Sequence, residues 1–517
     1  MEVADIDAPL VGTGIAGLDD IVRGGLTPSR LYLVEGNPGS GKTTLSLQFL
    51  LEGVRRGEPT LYVTLSETKQ ELLAVARSHG WSLDGIDIHE MEATEDSLTA
   101  DSQLTMFHPS ELELSETTKA VLLKVEASKP KRIVFDSLSE MRLLAHNPLR
   151  YRRQILGLKQ FFAGRQSTVL LLDDRTGPAD DLQLQSICHG VVHLEQGVTE
   201  FGAERRRLIV RKMRGVGFRG GIHDYAIRRG GLEVFPRLVA AEHADDVEAG
   251  DNPTGNAALD RLLGGGLPSG SSTLLIGPAG IGKSTLGLQF ALSAAERGER
   301  AALFIFDETT RTLRARAAKL EMPLESHLAS GLVTVQQVDP AELSPGEFVS
   351  ILRRAVDGRD ANGRPAKVVM VDSLNGYLHS MPEEKYLNAQ LHELFTYLSH
   401  RGVSTVVTVT QSGMLGSMQS PVDTTYLADN VIMFRYFEAR GRVRRAISVF
   451  KKRSGAHENT LRELRIGPVG LVVGEPLEEF HGVLTGVPSF LGPGDRPEGR
   501  TPPGPSTDAA GGATHGR

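Results

Sequence analysis

The 517-residue chain holds few means of covalent locking or membrane anchorage. A single cysteine, Cys188, excludes an intramolecular disulfide and a cysteine-based zinc cluster within one chain, and its expected role is that of a small buried hydrophobe. No run approaches the roughly 18 apolar residues that a membrane span needs. The opening MEVADIDAPL is acidic and lacks an apolar core, so no signal peptide and a soluble, cytoplasmic protein are expected. An excess of positive charge is missing as well. A formal net charge of -7 and a pI near 6.1 argue against a chain whose main work is gripping a nucleic-acid backbone. The densest basic stretch, Arg205 to Arg214, has six Lys or Arg among ten residues and is open to two readings, a solvated strand edge or a functional surface.

What the chain has, it has twice. Gly36, Asn37, Pro38, Gly39, Ser40, Gly41, Lys42 and Thr43 form one copy of G-x-x-x-x-G-K-[ST], and Gly277, Pro278, Ala279, Gly280, Ile281, Gly282, Lys283 and Ser284 form another. Each follows an apolar, strand-like run (Leu31 to Val34; Thr273 to Ile276) and precedes a helix-period stretch opened by Thr44 or Thr285. In that setting backbone N–H groups at a helix N-terminus converge on phosphate oxygens, and glycines permit close approach. Lys42 and Lys283 would reach the outer phosphates of ATP, and the Thr43 and Ser284 hydroxyls would hold Mg2+. A lone Gly-Lys-Thr stretch could be an ordinary turn; two in matching contexts argue for nucleotide binding in two places.

The second copy lies 241 residues after the first, and the register extends beyond the loop: Thr13, Gly14, Leu18, Asp19 and Glu67 return as Thr254, Gly255, Leu259, Asp260 and Glu308. Tandem homologous domains follow. The expected division is an extension over 1–9, a first domain over 10–240, an acidic linker over 241–251, a second domain over 252–475, and a Pro/Gly-rich tail over 476–517 that is expected to be disordered. Apolar runs at Leu61 to Leu65, Ile133 to Phe135, Val169 to Leu172 and Val191 to Leu194 predict strands in the first copy, as do Ala302 to Phe306, Val368 to Val371, Val406 to Val409 and Val431 to Phe434 in the second. Continuous rather than alternating hydrophobicity favours sheets covered on both faces. The predicted class is α/β, each domain a three-layer α/β/α unit with a mostly parallel sheet.

Two acidic positions complete each candidate site. Asp136 and Asp372 end apolar strands, where a carboxylate could accept from magnesium-bound water beside the P-loop hydroxyl; an aspartate there is also a common turn former. Glu67, with Asp307 and Glu308 in the second copy, follows the neighbouring strand and could orient and deprotonate the water that attacks the γ-phosphate. The alternative for Glu67 is an acidic cap on the following helix.

Thr13 to Asp19 and Thr254 to Asp260, each followed by glycine pairs, a P-loop, an acidic strand end and a strand-Asp-Ser, resemble in order the KaiC family of RecA-like ATPases over roughly residues 10 to 475. The resemblance implies a RecA-type core in each half and a homo-oligomeric ring, usually a hexamer, with ATP between subunits. It implies that Lys212 and Arg214, or Lys451 and Arg453, each a K-x-R after a strand, reach the neighbouring subunit's nucleotide. Where the family's clock members have two adjacent glutamates, this chain has Ser66-Glu67 and Asp307-Glu308, so the first domain is expected to turn over slowly or not at all unless Glu67 substitutes, and the second to be the ATPase. Autophosphorylation in the family would fall at Thr425, with Thr424 beside it and Tyr426 at the second acceptor position; the threonines could equally be ordinary loop residues. The leading expectation is a slow double ATPase coupling nucleotide state to binding of signalling proteins. Its rivals are a Ser/Thr autokinase, a DNA recombinase and a scaffold with ATP as structural ligand. The acidic stretch Asp173 to Asp181 and the low pI count against the recombinase.

Overall fold

Strands whose residues are apolar on both sides need cover on both sides, and the chain supplies it twice. The structure, a computed structural model, describes residues 9–91, 109–145, 147–174, 183–198, 202–243, 250–359, 361, 363–379, 386–411, 426–468, 470–484 and 489–490. The first sheet contains β1 (Leu31–Gly36), β2 (Thr60–Thr64), β3 (Ile86–Glu90), β4 (Arg132–Asp136), β5 (Thr168–Asp173), β6 (Gly190–Gly197), β7 (Arg205–Met213), β8 (His223–Arg228) and β9 (Gly231–Phe235). Every residue of β1, β2, β4 and β5 is buried, as the continuous hydrophobic runs predict. The order is β3-β2-β4-β5-β1-β6-β7-β8-β9, parallel from β3 to β6 and antiparallel beyond.

The second sheet contains β10 (Ser272–Gly277), β11 (Arg300–Ile305), β12 (Val333–Gln337), β13 (Ala366–Asp372), β14 (Ser404–Thr410), β15 (Asn430–Ala439), β16 (Arg442–Lys452), β17 (Arg462–Gly467) and β18 (Gly470–Pro476). Its order, β12-β11-β13-β14-β10-β15-β16-β17-β18, repeats the first sheet strand for strand, again with six parallel strands and an antiparallel extension. By internal contacts the chain groups into two compact units, Met1–Asp245 with Val338–Pro365 and Gly376–Arg401, and Asp246–Gln337 with Ala366–Asn375 and Gly402–Arg517. Each sheet lies within one unit.

Alternation along β1 divides its side chains between two cores. Tyr32 and Val34 pack with Leu45, Leu47, Phe49 and Leu50 of α1 (Lys42–Arg55). Leu31 and Leu33 pack with Tyr151, Ile155, Leu158 and Phe162 on the other face. Each such burial contributes about 1.5–3 kcal/mol. The repeated Thr13 and Asp19 tie the chain before the sheet: Asp19 Oδ1 accepts from the Thr13 backbone and hydroxyl, both at 2.8 Å, and Asp260 does the same for Thr254 at 2.9 and 2.7 Å. Cys188 is fully buried, and burial pushes its thiol up to about 12, so it packs as the expected hydrophobe.

One expectation needs correction. The tail predicted to be without structure from 476 continues as ordered chain through its first residues, because Leu477, Phe480 and Val483 have an apolar target in Phe437, Ala439 and Ala446. Among the described residues no helix is long and apolar enough to cross a membrane.

His223, at the start of β8, is fully buried with both ring nitrogens engaged: Nδ1 accepts from the Arg237 backbone N–H at 2.9 Å and Nε2 faces the Arg219 carbonyl at 3.0 Å. Protonation would set one N–H against another. Burial lowers its pKa to about 4 from 6.5, with the Arg219 carbonyl opposing and the Arg219 and Arg237 charges adding to the fall. Below 6.5 the unfolded chain therefore binds a proton that the folded chain refuses, and stability falls with pH until about 4. Denaturation midpoints measured from pH 7 to 4 should show this loss, worth up to about 3 kcal/mol, and His223→Gln should flatten it.

Candidate nucleotide-binding sites

Both P-loops occupy the C-terminal end of a central parallel strand, between the strand and a helix that starts at the motif lysine. Gly36 closes β1 and Lys42 opens α1; Gly277 closes β10 and Lys283 opens α2 (Lys283–Glu296). The glycines are required by shape. A Cβ at Gly277 would stand 2.8 Å from the Phe434 carbonyl oxygen, and one at Gly36 would collide with the Leu194 carbonyl. Gly41 and Gly282 adopt φ of 93° and 119°, a region that side-chain-bearing residues avoid. Neither helix has a side-chain cap, so its first N–H groups are available to an anion.

The lysines fold back on their loops. Lys42 Nζ donates to the Gly36 carbonyl at 2.8 Å, the Asn37 carbonyl at 3.0 Å and Asp174 Oδ1 at 2.7 Å. Lys283 Nζ donates to the Gly277 and Pro278 carbonyls, both at 2.8 Å. Burial lowers the Lys283 pKa to about 8, against the opposing charges of Asp372 and Asp307.

Asp136 and Asp372 stand at the ends of β4 and β13, both buried. The Tyr62 hydroxyl donates to Asp136 at 2.5 Å, and the Thr408 hydroxyl to Asp372 at 2.5 Å. Glu67 lies half-buried beside Thr43. Its pKa rises to about 7, first through burial and then through Asp136 and Glu71, with the Thr43 hydroxyl opposing and Asp174 adding a smaller rise. Oε2 of Glu67 is buried with no hydrogen-bond partner among the described residues. Glu67 is not the helix cap: Thr68 caps the helix Lys69–His79, and Glu71 completes the capping box. In the second copy the acids are engaged differently. Glu308 forms a two-point pair with Arg316, at 2.7 and 3.1 Å, and Asp307 accepts from the Ser373 hydroxyl. Burial nonetheless raises the Glu308 pKa.

A model of the KaiC ATPase family matches residues 11–239 and again 252–478. The chain belongs to the KaiC ATPase family. Curated relatives agree along nearly its whole length. The circadian clock oscillator protein KaiC of Thermostichus vulcanus is 25% identical over 507 residues, covering 96% of this chain and 95% of that protein. Those of Synechococcus elongatus and a Nostoc species are 26% identical over 489 and 493 residues, each covering 93% of this chain and 92% of theirs. The KaiC ATPase fold thus accounts for the doubled α/β architecture, and ATP binding and ATPase activity in the general sense come with it.

Lys212 Nζ donates to the Gln185 carbonyl at 2.5 Å and Arg214 to that of Ser186 at 2.7 Å, so both cap the end of the short helix Gln183–Ile187. Lys451 donates to the Ala428 carbonyl at 2.8 Å, and exposed Arg453 pairs with Asp429 at 3.0 Å. Thr424 and Thr425 lie outside the described residues; Tyr426, which follows, is exposed, while Leu427 and Ala428 are buried.

Of two further supports of the first P-loop, Tyr225 carries no sequence signal and Arg206 lies within the basic stretch Arg205 to Arg214. The buried Tyr225 hydroxyl of β8 donates to the Ser40 carbonyl at 2.6 Å, and Arg206 of β7 donates to the Gly39 carbonyl at 2.7 Å. They come from the antiparallel extension, 185 and 167 residues away along the chain. Tyr225→Phe should remove one buried hydrogen bond, costing about 1 kcal/mol of stability, and should weaken nucleotide binding at the first P-loop. Urea denaturation and a fluorescent-nucleotide titration check this; an unchanged protein in both would show that the loop is held without Tyr225.

Proposed function

We propose that both P-loops bind ATP with magnesium, that hydrolysis is slow, and that the protein works as a homo-oligomeric ring, a hexamer by analogy with its family, coupling nucleotide state to the binding of signalling proteins. The observation that carries this reading is the gathering of Lys42, Thr43, Glu67 and Asp136 at the edge of one parallel sheet, with Lys283, Asp307 and Asp372 at the same edge of its repeat. Hydroxyl and carboxylate donors fit a hard cation. Thr43 with Asp136, and Ser284 with Asp372, would hold magnesium, whose charge offsets that of the phosphates. Lys42 and Lys283 would bind phosphate oxygens.

Geometry favours a different division of labour from the tandem-acid argument, which pointed to the second half. Glu67 is beside the P-loop hydroxyl with one buried oxygen unpartnered among the described residues. Glu308 must leave Arg316 before it can take a proton, and Asp307 is bonded to Ser373. We therefore assign Glu67 as water-orienting base in the first site, with Asp307 and Glu308 sharing that role less effectively in the second. Lys212, Arg214, Lys451 and Arg453 would turn from their present carbonyl and carboxylate partners toward a neighbouring subunit's nucleotide, as donors for charge developing in phosphoryl transfer.

The autokinase alternative uses the same fold and adds an acceptor at Thr424 or Thr425. The recombinase alternative is weakened because Asp174 pairs with the P-loop Lys42 and Asp173 with Arg142, which leaves an acidic segment where a DNA contact would need a basic one.

Phosphate release decides the assignment. Glu67→Gln should remove most activity, by roughly 10² to 10⁴ at its own site, and Glu308→Gln much less; the reverse result would return turnover to the second domain. Light scattering should show a ring promoted by ATP and magnesium, and a monomer under all nucleotide conditions contradicts the assembly. Phosphopeptides at Thr424 or Thr425 that vanish in Lys283→Ala would establish the autokinase instead.

A further inference from the structure

The two motif lysines differ in one partner. An ammonium has three N–H donors. In Lys42 two go to loop carbonyls and the third to Asp174, whereas Lys283 makes the two equivalent carbonyl bonds and no ion pair among the described residues. We propose that Asp174 competes with phosphate for Lys42, so that the first P-loop binds nucleotide more weakly than its fold alone would allow, and that the second P-loop lacks this competitor. The inference rests on the reading that both P-loops bind ATP.

Strand register identifies the counterpart. Glu35 pairs with Asp173 across β1 and β5, and Ile276 pairs with Val409 across β10 and β14; the next residues are Asp174 and Thr410. Each is held by the residue three after the strand-ending aspartate. Ser139 accepts from the Asp174 backbone N–H at 3.1 Å and donates to its Oδ2 at 3.3 Å. Asn375 accepts from the Thr410 N–H at 2.7 Å and donates to its carbonyl at 2.9 Å. The same brace therefore holds a residue whose carboxylate reaches the lysine in one copy and, at the matching register position, a threonine in the other. Neighbouring Asp173 is itself fixed by Arg142 at 3.0 Å.

The pair is well shielded, with side-chain exposures of 7% for Lys42 and 29% for Asp174, so salt screens it less than a surface contact. A phosphate oxygen that takes the third donor displaces Asp174 and leaves its charge near the phosphate, alongside Glu67 and Asp136, whose carboxyls already feel it. Apparent affinity is the intrinsic affinity multiplied by the fraction of time Lys42 is free.

The test uses the full chain with Lys283→Ala, so that only the first P-loop reports, and a fluorescent ATP analogue with magnesium as probe. Asp174→Asn should lower the dissociation constant about three- to tenfold, and Asp174→Glu should restore the weaker binding. In a Lys42→Ala background, Thr410→Asp should weaken the second site by a similar factor, which keeps the test open if Asp174→Asn fails to fold. Unchanged or weaker binding in a folded Asp174→Asn overturns the proposal, as does a Thr410→Asp variant that binds normally. A first P-loop that binds no probe in any variant overturns the nucleotide reading itself.

Discussion

A backbone whose N–H groups lie open to an anion can carry no side chain at several of its positions, and much around the two P-loops follows from holding such a glycine-rich segment in place. Gly36 lies too close to the Leu194 carbonyl for a Cβ, so β1 and β6 fix where the loop begins. From the other side Tyr225 and Arg206 take two of its carbonyls, and Lys42 takes two more. The antiparallel strands added to the parallel core are thus part of the site. In the second copy Gly277 meets Phe434 in the same way, and Tyr436 reaches toward the Ala279 carbonyl at a longer 3.5 Å.

Local chemistry was readable from the sequence, and distant pairing was not. The P-loops, the eight predicted strands and the aspartates at 136 and 372 each depend on a handful of consecutive residues, and all fall where pattern places them. The duplication was legible for the same reason, as a repeat of such local signals. The roles of Tyr225, Arg206 and Asp174 became visible only with strand order, because residues in β7, in β8 and just after β5 reach the loop after β1 through a non-sequential sheet. Glu67 shows the intermediate case. Its position was evident, but whether it capped a helix or faced Thr43 depended on Thr68 taking the cap.

Duplication has kept the scaffold and altered the charges. Where the first copy has Ser139 with Asp174 the second has Asn375 with Thr410 on the same brace, and the acid after β2 keeps one buried oxygen without a hydrogen bond among the described residues where its counterpart holds an arginine. Sheets tolerate such exchanges because strand-end side chains project beyond the packed layers. One repeated frame can therefore carry two electrostatically distinct loops.

The segment after Pro476 bears on where the protein can be cut. Leu477, Phe480 and Val483 cover Phe437, Ala439 and Ala446, and Arg435 hands a proton donor to the Leu484 carbonyl. A chain ended at residue 475, where the helix and strand patterns fade, would bare an oily strip on β15 and β16 and orphan a buried guanidinium. Such a fragment would invite self-association through the wrong surface, and its oligomeric state would report the missing cover rather than any ring.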